Sequence, residues 1–178
     1  MNYQTIDEIY AANDKIRENF KSLTANLSDD QANTAVEGEI WTVSAIIEHL
    51  AMVEDGMIKI CAKLLREAEA NRGKADGSAK ISAEFLEKVL KGREQKFNAP
   101  ERVVPSGDKT ITESLAQMDE NRAKLYELKS TFESVECADF KFPHPAFGDL
   151  TAHEWLALLG GHELRHTSQI KRLLEKIR

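Results

Sequence analysis

Residues 151–177 read TAHEWLALLGGHELRHTSQIKRLLEKI, and the fold turns on the period of that stretch. Trp155, Leu159, His162, His166, Ile170, Leu173 and Ile177 recur at steps of three and four, which places them on one face of an α-helix. Thr151 and Glu154 open the run as a capping box, each side chain satisfying a backbone N–H that the first helical turn leaves free. A long helix is therefore predicted from Thr151 almost to the chain end. Its core-facing stripe carries two imidazoles where apolar side chains otherwise stand.

Working outward, three more runs share this pattern. Thr5-x-x-Glu8 caps a stripe of Ile6, Ile9, Asn13, Ile16, Phe20, Leu23 and Leu27. A second long helix begins near Thr42 and carries Val43, Ile46, Ile47, Leu50, Val53, Met57, Ile60, Cys61 and Leu64, until the polar, glycine-containing stretch 71–77 stops it. A third uses Thr110-x-x-Glu113 as its cap and runs through Ile111, Leu115, Met118, Arg122, Leu125 and Phe132. No alternating strand pattern is read anywhere.

Some forty residues, about 71–109, separate the second and third helices, with a short helical piece near 83–91 and a proline-bounded loop at 100–105. A connection that long can return the chain to the other end, whereas the joins at 28–41 and 133–150 suit neighbours. The expected fold is all-α: one domain over residues 1–178, a four-helix bundle with a long crossover between helices 2 and 3.

The chain has 178 residues, 42% hydrophobic and 30% charged, with a net charge of -6. That balance suits a globular domain and removes any general electrostatic reason to bind nucleic acid or anionic lipid. No stretch approaches the roughly 20 apolar residues of a membrane helix, and the first ten residues lack a leader pattern, so the expected location is cytoplasmic. Cys61 and Cys137 stand alone, without C-x-x-C spacing, and are expected as buried apolar residues.

His162 and His166 are four apart, so both can reach one ion. A buried polar group without a partner costs about 1–3 kcal/mol, so two adjacent imidazoles in a core stripe need several hydrogen bonds or a metal. His49, in Glu48-His49-Leu50, lies in line with Ile46 and Val53 well inside the second helix and is the natural third ligand. Three neutral imidazoles leave a fourth coordination position open, the mark of a catalytic site. His153, in the first turn of the last helix, is expected at the surface, and His144, in Pro143-His144-Pro145, as a loop-packing residue.

Trp41-Thr42-Val43, Glu48-His49-Leu50, His144-Pro145-x-x-Gly148-Asp149-Leu150-Thr151, Glu154-Trp155-Leu156 and His162-x-x-x-His166-x-x-Gln169 together resemble the DinB/YfiT-like superfamily over nearly the whole chain. The resemblance implies a crossover bundle in which His49, His162 and His166 bind a divalent metal, zinc or nickel. It also implies a homodimer, and an activity among thiol-dependent S-transferases, a thiol-dependent isomerase and metal-dependent hydrolases. Such a likeness transfers the site better than the substrate.

His162-Glu163-Leu164-Arg165-His166 also spells the H-E-x-x-H signature of zinc metallopeptidases. A metzincin would continue with glycine and histidine where this chain has Gln169 and Arg172, and the glutamate-ligand type needs a carboxylate further downstream than the twelve residues after His166 allow. Peptidase chemistry is therefore disfavoured. Glu163 is read as a carboxylate behind the ligands or a surface charge, with a general-base role kept open. Arg122 either snorkels to water or points inward to hold an anionic substrate or thiol cofactor. Asn13 is read as a buried amide fixing helix register. Gly160-Gly161 costs roughly 1 kcal/mol per glycine in helix propensity, which close helix approach or room for a substrate beside His162 would explain.

The expected function is that of a metal-dependent transferase or hydrolase. A His₃-held Lewis acid would activate water or a low-molecular-weight thiol toward a small electrophile, with Glu163 or Arg122 orienting it. The competing expectation is a stress-associated bundle that binds a metal or ligand without turnover.

Overall fold

The computed structural model describes residues 3–71, 75–92 and 97–177, so parts of the anticipated crossover, at 72–74 and 93–96, lie outside the described residues. Four long helices form the body: α1 (Ile6–Thr24), α3 (Val43–Ala70), α5 (Ile111–Glu127) and α7 (Ala152–Ile177). α3 packs against both α5 and α7, and α1 packs along α7. At about 1.5 Å per residue, the 28 residues of α3 span roughly 42 Å. This is the expected four-helix bundle with its connection between the second and third long helices.

The helix starts follow their capping residues. The hydroxyls of Thr5, Thr42 and Thr110 each accept from the backbone N–H three residues on, and Thr110 with Glu113 completes a reciprocal box. Thr151 and Glu154 form the anticipated box at the start of α7, with Glu154 N–H donating to Thr151 Oγ1 at 3.3 Å and Thr151 N–H to Glu154 Oε2 at 2.9 Å. Glu154 Oε1 also accepts from the hydroxyl of Ser82 at 2.5 Å and from its backbone N–H at 3.2 Å. One buried carboxylate thus ties α7 to the head of α4 (Ala83–Gly92).

Several expectations need correction. α1 stops at Thr24, short of Leu27, and a further short helix, α2 (Asp29–Asn33), occupies the first join under its own Ser28–Gln31 capping box. The third run breaks at Leu128 and resumes as α6 (Lys129–Ser134). The last join holds an antiparallel hairpin, β1 (Lys141–His144) with β2 (Gly148–Thr151), where no strand was read. Gly148 closes its turn at φ +78°, a backbone state that a side chain disfavours. His153 is 2% exposed rather than at the surface, because Lys80 from the crossover lies over it and donates its N–H to Nδ1 at 3.1 Å.

The apolar interior falls into two clusters. One gathers Ile9, Tyr10, Leu64, Phe132, Trp155 and Leu156; the other gathers Phe20, Ile46, Ile47, Met118, Ile170 and Leu173. Between them each long helix contributes buried polar groups: Asn13 and Arg17 from α1, Glu54 from α3, Asn121 from α5 and Glu163 from α7. Cys61 and Cys137 are free thiols in the first cluster, as expected. No described helix is long and apolar enough to cross a membrane.

Candidate metal centre

His49 on α3 and His162 and His166 on α7 meet where these two helices pack, beside the polar layer. One nitrogen from each lies within 4.8 Å of those of the other two. Ring centroids are 5.3 Å apart for His49 and His162, 5.0 Å for His49 and His166, and 4.6 Å for His162 and His166. The last pair follows from four-residue spacing on one helix; the first two require the α3–α7 packing.

Hydrogen bonds orient two of the three rings. His49 Nδ1–H donates to the carbonyl of Val103 at 2.7 Å, and His166 Nδ1–H donates to Gln169 Oε1 at 2.9 Å. In both cases the outer nitrogen carries the hydrogen and Nε2 keeps its lone pair, the arrangement that supports a metal-binding imidazole. Burial pushes the His49 and His166 rings below the usual histidine range, His166 to about 4. Burial also drives His162 well down, and the neighbouring His166 and His49 add to it. All three are therefore neutral at pH 7, the form a ligand must take. The donor set, its spacing and its outer hydrogen bonds together fit a divalent ion.

The crossover roofs this cluster. Glu48, buried beside His49, accepts from Ser106 N–H at 3.0 Å, Ser106 Oγ at 2.9 Å and Gly107 N–H at 3.0 Å. Its burial opposes the charge, yet those bonds prevail and hold the carboxyl below its ordinary range. Pinned in this way, the loop presents the Val103 carbonyl to His49. Trp41 closes another side, its ring centroid 4.7 Å from that of His49 and 6.5 Å from that of His166.

Glu163 and Arg122 both take the inward one of the two alternatives left open for each. Glu163 is 2% exposed, which rules out a surface charge. Arg17 grips it twice, Nε to Oε1 at 2.7 Å and NH2 to Oε2 at 3.1 Å, and Arg122 adds a contact to Oε2 at 3.3 Å. Arg17 also donates to Glu54 Oε1 at 2.8 Å. Arg122 does not snorkel: its side chain is 11% exposed and faces Glu163, Glu54 and Asp14. Asn13 is the expected buried amide and donates to the Leu156 carbonyl at 3.1 Å, while its Oδ1 has no hydrogen-bond partner.

Arg17 and Glu54 escaped the sequence reading. Arg17 lies four residues after Asn13 and Glu54 four after Leu50, so strict helical spacing marks both as inward. Their charge argued for the surface, and only the pairing reconciles the two signals. His144 stays outside the cluster as expected, stacked on Phe147 with centroids 4.7 Å apart.

Residues 12–170 match the family model of the DinB superfamily. A Bacillus subtilis (strain 168) protein described as the uncharacterized protein YuaE is 32% identical over 154 residues, covering 85% of this chain and 88% of its own. Among solved structures, that of TT2238, described as a four-helix bundle protein, superposes with a TM-score of 0.60 at 21% identity, covering 94% of this chain and 98% of its own. That likeness concerns the fold.

Proposed function

The chain belongs to the DinB superfamily, and on that premise we propose that it is a divalent-metal-dependent enzyme acting on a small electrophilic substrate, most simply an S-transferase or hydrolase. One observation carries the proposal: three neutral imidazoles from two helices offer nitrogens within 4.8 Å of one another, two with their outer N–H already engaged. Bound there, zinc or nickel would supply a Lewis acid that lowers the pKa of a thiol or water. His49, His162 and His166 would hold the ion. Trp41 and the pinned loop restrict water around it, and the Val103 carbonyl and Gln169 keep the ring hydrogens turned outward. Glu163 is committed to Arg17 and Arg122, and Arg122 faces Glu163, Glu54 and Asp14, so both serve to position α7 and are assigned no proton transfer. A low-molecular-weight thiol as co-substrate, a homodimeric assembly and a cytoplasmic location belong to the same proposal.

The test is elemental analysis of the purified protein beside His49→Ala and His166→Ala, followed by thiol-dependent consumption of a generic electrophile. Near-stoichiometric metal in the wild type, lost from both variants, is expected. Metal retained undiminished in both variants overturns the ligand assignment.

A second reading, a metal-binding bundle without turnover, draws on the enclosure of the cluster by Trp41 and by the loop that Glu48 pins over His49. Azide or thiol binding to the cobalt-loaded protein separates the two: a changed visible spectrum supports the enzyme, and an unchanged one the closed site.

A further inference from the structure

Of the three histidines, His162 alone has no hydrogen bond from its ring to another described protein group, while the outer nitrogens of His49 and His166 are both engaged. Ligating histidines almost always donate their second N–H to a carboxylate, carbonyl or water. Beneath His162 lies the cavity of about 10 Å³, lined by His162 itself, Arg17, Glu54 and Glu163 and walled by Leu50, Met57, Met118 and Leu159. Such a volume is about that of one water, which also needs two to four polar partners.

The polar partners are present. Glu54 is 5% exposed, and while its Oε1 accepts from Arg17, its Oε2 is buried with no hydrogen-bond partner. An orphaned carboxylate oxygen costs more than a neutral one, so a structure that retains it has a donor in reach. Leu50, Met57, Met118 and Leu159 offer none.

We propose that one internal water occupies this cavity, accepting from the His162 ring N–H and donating to Glu54 Oε2, so that Glu54 is the positioning residue of the third metal ligand. The inference rests on the metal-site reading and extends it to the far side of the ring. Each ligand then has its own outer acceptor: a backbone carbonyl for His49, a side-chain amide for His166, and a water backed by a carboxylate for His162. The water chain turns the His162 hydrogen away from the ion and makes the ring a stronger donor to it. It also couples the ligand to the Arg17–Glu163 pair, because Glu54 is held by the same guanidinium.

The test uses the full chain. Zinc affinity is measured by competition with a chromophoric chelator for the wild type, Glu54→Gln and Glu54→Leu. Glu54→Leu is expected to weaken zinc by about 10–100-fold at unchanged stoichiometry, as removal of such outer partners does. Glu54→Gln keeps an acceptor and is expected to recover most of that loss. Nitrogen-15 shifts of the His162 ring in the metal-free protein supply a readout that needs no metal: one fixed tautomer in the wild type, a tautomeric mixture in Glu54→Leu. Should Glu54→Leu not fold, an atomic-resolution structure of the wild type decides. An ordered water within hydrogen-bond reach of both groups supports the proposal, and a dry cavity overturns it. Wild-type zinc binding with equal affinity in both variants overturns this inference alone, whereas a wild type that binds no zinc overturns the metal site as well.

Discussion

Replacing Gly160 by alanine should be destabilising, against its helix propensity. A β-carbon there would stand 1.9 Å from Asn13 Oδ1, 2.8 Å from Asn13 Cγ and 3.4 Å from Ile16 Cδ1. Alanine in mid-helix gains about 1 kcal/mol over glycine. Overpacking a filled interior costs about 1–3 kcal/mol. Asn13 is 1% exposed, and moving it breaks its bond to the Leu156 carbonyl, leaving a buried amide unpaired at about a further 1–3 kcal/mol. The net loss is then about 1–5 kcal/mol. In an Asn13→Ala background the obstructing oxygen is gone, so Gly160→Ala should become neutral or stabilising by up to about 1 kcal/mol. Urea denaturation followed by far-ultraviolet circular dichroism across the four proteins of the cycle gives the coupling, expected to be at least about 1 kcal/mol. Gly160→Ala that costs nothing, or costs the same with and without Asn13, would show that this glycine is not there for the α1–α7 approach.

Arg17→Met should cost about 3–5 kcal/mol in the same denaturation assay, because Glu163 and Glu54 lose their principal partner while remaining buried; Arg17→Met combined with Glu163→Gln should recover part of it. Glu48→Ala should release the loop that carries Val103, seen as faster proteolysis near residues 100–107 and as weaker metal retention, with the melting temperature little changed. Burial holds His144 down to about 4. The folded state resists protonation of this ring, so it costs no stability above about pH 6.5 and lowers stability progressively as pH falls toward 4. The melting temperature of the wild type should therefore fall relative to that of His144→Gln as pH is lowered from about 6.5 toward 4, and parallel curves across that window would refute the assignment.

The bundle was legible because its signals are local. The forward cap at Thr5, where the Glu8 carboxylate turns back to Gln4 N–H instead of completing the expected box, the capping boxes at Thr110 and Thr151 and the stripes of three-and-four spacing depend on neighbours in sequence, and tertiary packing reinforced them. The hairpin was not legible, because four residues containing Pro143 and His144 show no usable alternation. His153 was misplaced because the group that covers it, Lys80, is 73 residues away. The histidine cluster was foreseeable in part: its α7 pair is set by helical spacing, and the convergence of His49 needed the fold. The Val103 partner is a backbone carbonyl and has no side-chain signature, while Arg17 and Glu54 looked like surface charges until each was seen to neutralise the other.

The charged middle layer also limits which assemblies of these helices are possible. Displacing any one helix by a turn, about 5.4 Å, would drive a guanidinium or carboxylate into the hydrocarbon above or below and strand its former counterion. An all-apolar seam would tolerate such slippage; this one locks all four helices to a common height. Since His162 and His166 ride on the helix that carries Glu163, and His49 on the one that carries Glu54, the lock that aligns the scaffold is also what brings three rings to the same level.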